Sequence, residues 1–461
     1  MPREEVYNLH PRGWENDPEV ERFRVSTLDY LTCQTYNHYA VFFRIDDAAK
    51  PRVVEVLKAG LERTLSQVRQ LNGRIEKDPW GDYSFTKRKD STVRFVVQWL
   101  DAPEDADKYP SFDDIEKANF SAVSLGDLRL WAVSPMTYGE RLEATPEQSP
   151  VTAGFKATSS AADSSSVRTT IITPKINGTP YPSWDPACND VSRFLKPEPP
   201  EEQKVDGPPP PDRHPGHKVG ICLLFHLPKS KAAQLKNLAK PGDGTWISTY
   251  DAFSVFMWRH MTRLRVPVFK TPPESKLFWC ETIDMRRPLH SPKVPARTQQ
   301  NVMYVAMSTT APVEQPTVSE LISDWPFWRI ARYIRQLTDS VTQGSLDETL
   351  EMVAKIRVKS SLNSRIDSHP PMSTIVVDHR DANIPSADFG FGKPATYRYL
   401  MGRISEGGVL VYPPRNPTPE SDEGPEIAIM YEKELARALI EDPEWNKFFE
   451  YRGVDAEHTD V

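Results

Sequence analysis

Short apolar runs and helical apolar stripes take turns along this chain. HYAVFFRI (His38 to Ile45) is a run of strand length. Pro51 is well placed for a helix start, and after it Val54, Leu57, Leu61, Leu65 and Val68 recur every three or four residues. That spacing predicts one apolar helical face, closed by Asn72-Gly73. FVVQWL (Phe95 to Leu100) predicts the next strand. The pattern resumes with VGICLLFHLP as strand and Lys229 to Leu238 as helix. Ile247 to Arg265 then reads as helix and LFWCETIDMRR (Leu277 to Arg287) as strand. Leu321 to Leu337 and Leu350 to Arg357 read as helices, and GGVLVYPP and EIAIMYEKELARALI as strand, strand and closing helix. Strands and helices alternate in both halves, which predicts an α/β class rather than a bundle or a sandwich.

Between the halves, Lys196 to Gly216 reads KPEPPEEQKVDGPPPPDRHPG. Proline fixes φ and removes donors, so this stretch is neither helix nor central strand. A crossover between domains is the expectation, ahead of a ligand for a PxxP-binding module. The boundaries expected are 1–195, a linker over 196–218, and 219–461. A chain of 461 residues is comfortable for two domains of about 200 residues each.

Composition narrows the function. With 57 Lys+Arg against 64 Asp+Glu the net charge is −7, which excludes a generally basic nucleic-acid binder. Cys33, Cys188, Cys222 and Cys280 form no CxxC pair, so neither a zinc cluster nor a disulfide framework is expected. The N-terminus is charged from the start, and apolar runs such as Val219 to Phe225 fall far short of a membrane span. The expectation is a cytoplasmic protein without metal or membrane partner.

The most conspicuous string is ADFGFGKP (Ala387 to Pro394), whose glycines suit a tight turn. His379-Arg380-Asp381 precedes it and raises a kinase reading. That reading fails on several counts. The two aspartates are seven residues apart, Ser386 stands where an asparagine is required, and no GxGxxG loop or VAIK strand comes before. Only 73 residues follow Asp388, too few for a helical lobe. A serine hydrolase lacks its GxSxG elbow.

The string resembles the DFGWG motif of BAHD-type acyl-CoA-dependent acyltransferases, in the fungal branch typified by trichothecene acetyltransferases. Ser248 to Arg265 resembles that family's STNDAL-type helix with its downstream Trp-Arg, and Ile283 to Pro295 its arginine-bearing strand end. Asn301 matches the asparagine that follows, and Leu65 to Ile75 the early helix with its Leu-x-Gly-Arg step. The resemblance covers most of the chain, with a gap near 158–195. It implies two domains, each like chloramphenicol acetyltransferase, a mixed sheet flanked by helices, with a channel between them. It also implies acyl-CoA as co-substrate rather than a bound cofactor, a small hydroxyl or amine acceptor from secondary metabolism, and a monomer. The motif residues are Asp388, Phe389, Gly390, Phe391 and Gly392. Asp388 is expected to pair with Arg286, away from the channel, and Phe391 replaces the family's tryptophan.

The family's general base is the histidine of HHxxxDG, an imidazole whose pKa suits proton abstraction near neutrality. None of the ten histidines here (His10, His38, His214, His217, His226, His260, His290, His369, His379, His458) has an aspartate four residues later. His379, in the loop before DFGFG, is a poor substitute. Where the motif belongs, the chain reads SSAADSSSVRTTIITPKINGTP. Two readings stand. One is a genuine polar loop in a catalytically inactive relative that binds a ligand or a partner protein. The other is a shifted reading frame, and it is favoured. If each codon takes the third base of one residue and the first two of the next, Ser159 to Thr173 can encode FIRGGLILCAHHHHH. Lys175 and Ile176 can then supply Glu and Asp, which puts the base near Thr169–Ile176. The motif's glycine is not available in that frame.

Overall fold

The computed structural model describes residues 3–31, 38–77, 83–105, 108–131, 153–157, 175–176, 179–180, 186–209, 211–286, 288–289, 293–295, 298, 301–359, 362, 366–382, 384–401, 404–415 and 418–457. Its strands are β1 (Arg3–Leu9), β2 (Val20–Arg24), β3 (Tyr39–Phe42), β4 (Arg74–Lys77), β5 (Tyr83–Arg88), β6 (Val93–Trp99), β7 (Ala153–Ala157), β8 (Lys175–Ile176) and β9 (Thr179–Pro180). They continue with β10 (Gly220–His226), β11 (Trp279–Asp284), β12 (Met303–Met307), β13 (Thr374–Asp378), β14 (Thr396–Tyr399), β15 (Gly408–Tyr412), β16 (Glu426–Glu432) and β17 (Glu450–Glu457). The helices are α1 (Lys50–Gln67), α2 (Phe112–Lys117), α3 (Lys229–Leu238), α4 (Thr249–Phe269), α5 (Phe327–Asp339), α6 (Gln343–Lys355) and α7 (Ala436–Ile440).

Two compact units result, and the chain does not divide between them at one point. The N-terminal unit takes Met1–Glu198, then Pro295–Asn301 and Ile384–Met401; the C-terminal unit takes the rest. The main boundary falls inside the proline-rich tract, as proline content suggests. The DFGFG string does not follow the contiguous 219–461 assignment: it sits in the N-terminal unit, because β14 just after it pairs antiparallel with β3. The tract itself is anchored rather than free. Val205 exchanges backbone hydrogen bonds with Lys355 and Arg357, and His214 N–H donates to the carbonyl of Asp367.

In the N-terminal unit, α1 lays the stripe read from sequence onto a three-stranded sheet of order β1-β6-β7. Val54 packs with Leu9, Phe95 and Val97, and Leu57 and Leu61 close over them. Each such side chain, when fully buried, contributes about 1.5–3 kcal/mol. β7 runs parallel to β6.

In the C-terminal unit a seven-stranded mixed sheet has the order β12-β11-β13-β15-β16-β10-β17. β11, β13 and β15 are parallel neighbours, and the other pairs are antiparallel. β10 is buried at every position, which explains why its sequence is apolar without alternation. α4 begins with a capping box: Ser248 Oγ accepts the N–H of Asp251 at 3.1 Å, and Asp251 Oδ2 accepts the N–H of Ser248 at 2.6 Å. It is buried on most of its surface from Asp251 to Thr262, with polar side chains among the apolar ones. Two expectations change. The helix over Leu321–Leu337 is broken at Trp325-Pro326 and resumes as α5, since proline disfavours helix in the residue before it. The closing helix is the short α7, and the chain then adds β17 as an edge strand.

Candidate active site

The glycine string forms a self-closing loop. Asp388 Oδ1 accepts the N–H of Gly390 at 2.8 Å, and Phe389 N–H donates to the carbonyl of Gly392 at 3.0 Å. Gly390 holds φ at 89°, and a Cβ there would lie 3.4 Å from Val56 on α1. The Phe43 ring meets Phe389 edge-on and Phe391 at a tilt, with both centroids 5.0 Å away. A phenylalanine at 391 thus keeps an aromatic seat for the loop against the strand end that carries Phe43.

Asn301 is tied to the same unit. Its backbone N–H and its Nδ2 both donate to Asp29 Oδ1, at 3.0 and 2.5 Å, while Asp29 Oδ2 accepts the Ser26 hydroxyl at 2.7 Å. Arg286, just past β11, donates from its backbone N–H and from Nη1 to Asp284 Oδ1, each at 3.0 Å. Asp388 and Arg286 therefore each have a partner within their own unit.

Beside the start of α4 lies a buried polar cluster that sequence reading did not single out. Glu281 on β11 is 2% exposed. Its Oε2 accepts from Tyr250 Oη (2.7 Å) and Trp279 Nε1 (3.3 Å), and its Oε1 lies 2.5 Å from Thr338 Oγ1. Burial pushes its pKa up against these three partners. Burial next to Glu281 likewise pushes the Tyr250 hydroxyl well up. The only sequence signal was one acidic residue inside an apolar strand. Close by, Arg380 grips Asp378 through both carboxylate oxygens (2.6 to 3.0 Å) and lies over the Phe253 ring. The HRD string that mimics a kinase is thus the ion-paired end of β13.

Most described histidines are engaged in the fold. His214 Nδ1 accepts from Gly216 N–H, and His217 Nε2 donates to the carbonyl of His369. His226 bridges Glu450 and the N–H of Gly424, and His260 Nδ1 donates to the carbonyl of Phe256. His369 stacks on Phe278 and His10 on Trp14. Burial pushes His38 and His379 down, and the backbone N–H of His379 is held by Val411. His290 and His458 lie outside the described residues, as do Cys33 and most of Ser159–Thr173. Cys188, Cys222 and Cys280 are buried free thiols. Among the described residues no cluster of His, Cys, Asp and Glu could hold a metal, and no helix is long and apolar enough to cross a membrane.

Comparison with known proteins adds the chemistry. The profile of the Transferase family matches residues 222–445. Acetyltransferase FGR3 of Gibberella zeae is 61% identical, across 99% of this chain and 95% of its own. O-acyltransferase pigD of Monascus ruber is 25% identical, across 91% of this chain and 96% of its own. Among solved structures, TRI101 of F. graminearum complexed with coenzyme A and T-2 mycotoxin superposes with a TM-score of 0.66 at 17% identity, covering 94% of this chain and all of that one.

Proposed function

The chain belongs to the Transferase family of BAHD-type acyltransferases, and from that premise we propose that it moves an acyl group, acetyl in the first instance, from acyl-CoA to a hydroxyl of a small fungal secondary metabolite. The observation that carries this reading is the 61% identity to an acetyltransferase over nearly the whole of both chains. The fold shared with a protein solved with coenzyme A supports the same co-substrate. An amine acceptor is the variant of the reading to be tested beside the alcohol. The protein acts as a monomer in the cytoplasm, a location suited to its free buried thiols.

Acyl transfer needs a base that removes the acceptor proton as its oxygen attacks the thioester carbonyl, with the CoA thiolate leaving. The histidines held by partners within the fold are unsuited to that task. The base is instead assigned to the segment after β7, where the shifted frame supplies an apolar strand and paired histidines near Thr169–Ile176. Asp388 and Arg286 are assigned structural roles, each held by a partner in its own unit, rather than roles in the chemistry. Sequencing the transcript across codons 150 to 200 tests the assignment. Read-through to FIRGG and paired histidines supports the enzyme; SSAADSSSVRTT as written removes the base and favours an inactive, ligand-binding relative.

A further inference from the structure

The proline-rich tract has a part that acyl transfer does not use. From Pro199 onward it belongs to the C-terminal unit, and two feet fasten it there. At the first foot Val205 is bridged to Ile356, and Arg357 pairs with Glu201 and, at 3.1 Å, with Asp206. At the second, Arg213 Nη2 donates to both carboxylate oxygens of Glu406, at 2.9 and 3.0 Å, and Glu406 is 1% exposed. His214 N–H donates to the carbonyl of Asp367 at 2.7 Å, and His217 Nε2 to the carbonyl of His369 at 2.8 Å.

Between the feet runs GPPPPD, residues 207–212. Proline fixes φ, and each proline extends the residue before it, so covalent structure alone favours a polyproline II rod here. Pro208, Pro209 and Asp212 are exposed and Pro211 is half-buried. Among the described residues, no hydrogen bond takes up the carbonyls of Pro208, Pro209 and Pro211, which leaves them to outside donors. A stiff rod tethered at both ends loses little further freedom when a partner binds it, and aromatic-lined grooves exploit that preorganisation.

The charges decide which groove fits. Residues 208–213 read PxxPxR, and a free arginine at the end would call for an acidic pocket in the partner. The fold withdraws that arginine. It is held by Glu406, and pulling it away would strand a buried carboxylate. Lys204 is likewise turned to Glu201, at 3.5 Å. What faces outward is acidic: Asp206, its side chain 90% exposed, and the exposed Asp212 flank the prolines, with Glu201 and Glu202 beyond. Aromatic rings with basic residues at the rim are the complement of such a surface.

We propose that residues 207–212 are a docking segment for a second protein, a polyproline II-reading domain whose aromatic groove has a basic rim. The proposal stands apart from the acyltransferase reading and needs neither CoA nor a general base.

Calorimetric titration of the full chain with purified SH3, WW and EVH1 domains, chosen to include basic-rimmed and acidic-rimmed grooves, tests it. Saturable one-to-one binding is expected from basic-rimmed domains alone. A Pro208→Ala, Pro209→Ala double variant should weaken that binding at least about tenfold, since the rod is lost. Both prolines are exposed and lie outside the feet, so the variant should melt with the wild type. Asp212→Lys should weaken binding about tenfold at low salt and less at high salt. A synthetic peptide of residues 205–213, which lacks the tethers, should bind the same domain about tenfold more weakly than the chain. No binding by any basic-rimmed domain would overturn the proposal, as would binding that survives the double variant or Asp212→Lys. Binding by an acidic-rimmed domain that is lost in Arg213→Gln would also overturn it, by showing that Arg213 is released to the partner.

Discussion

Replacing Glu281 with glutamine should stabilise this protein at neutral pH, although it alters a buried side chain with three polar neighbours. The placement of the protons decides the sign. Thr338 Oγ1 lies 2.5 Å from Glu281 Oε1 and 3.1 Å from the carbonyl of Ile334. Its one hydroxyl proton serves one acceptor; given to Ile334, it leaves Glu281 to be the donor in the shorter contact. A protonated Glu281 satisfies the set, and burial raises its pKa in that same direction. A glutamine reproduces the protonated form: its oxygen accepts from Tyr250 and Trp279, and its amide donates to Thr338. A carboxyl raised in the folded state binds more protons folded than unfolded. Stability therefore falls as pH rises from the unfolded carboxylate value through the raised folded value, at up to about 1.36 kcal/mol per pH unit. Glu281→Gln removes that loss, so the variant should match the wild type near the unfolded carboxylate value, exceed it increasingly as pH rises, and hold a constant advantage above the raised folded value. Glu281→Ala strands Tyr250, Trp279 and Thr338 and should cost about 3 kcal/mol or more at every pH. Urea denaturation across that pH range measures both. A Glu281→Gln variant destabilised by about 2 kcal/mol at neutral pH, or one that keeps the wild-type pH slope, would show that the carboxylate is ionised in place.

Two other substitutions probe the frame around the site. Gly390→Ala forces a Cβ onto a backbone at φ 89° and should cost about 1–2 kcal/mol in thermal denaturation; equal stability would mean the DFGFG turn is not held at that angle. Arg265 and Glu432 are each 1% exposed and joined at 2.8 Å, so Glu432→Gln should destabilise by about 3–5 kcal/mol, while an Arg265→Met, Glu432→Leu double variant should recover most of that loss.

What the sequence made legible follows from how local each signal is. α1 and α3 were readable because their stripes or boundaries lie within a dozen or so residues, and β10 because burial on both faces leaves an unbroken apolar run. β17 was not readable: its edge position lets it carry Glu450, Arg452 and Gly453, which in isolation read as a loop. The return of residues 384–401 to the N-terminal unit was hidden too, because the β3–β14 pairing joins positions more than 350 residues apart. At the site, the motif aspartate, glycines and phenylalanines were legible as strings, and Asn301 as a match. Their partners Asp29, Phe43 and Val56 were not, since contact is made by folding and not by spacing. Glu281 went unnoticed because one acid in an apolar strand says nothing of the three polar side chains that meet it.

The most direct test compares two purified chains, the one with the given sequence and one with the shifted frame restored over Ser159–Ile176, for release of the CoA thiol from acetyl-CoA with a panel of secondary-metabolite alcohols and amines. Acceptor-dependent thiol release, with matching acetylated product, is expected from the restored chain alone. Equal turnover by the chain with the given sequence would place the base among its own histidines and contradict the assignment. No transfer by either chain, to any acceptor, would contradict the acyltransferase itself.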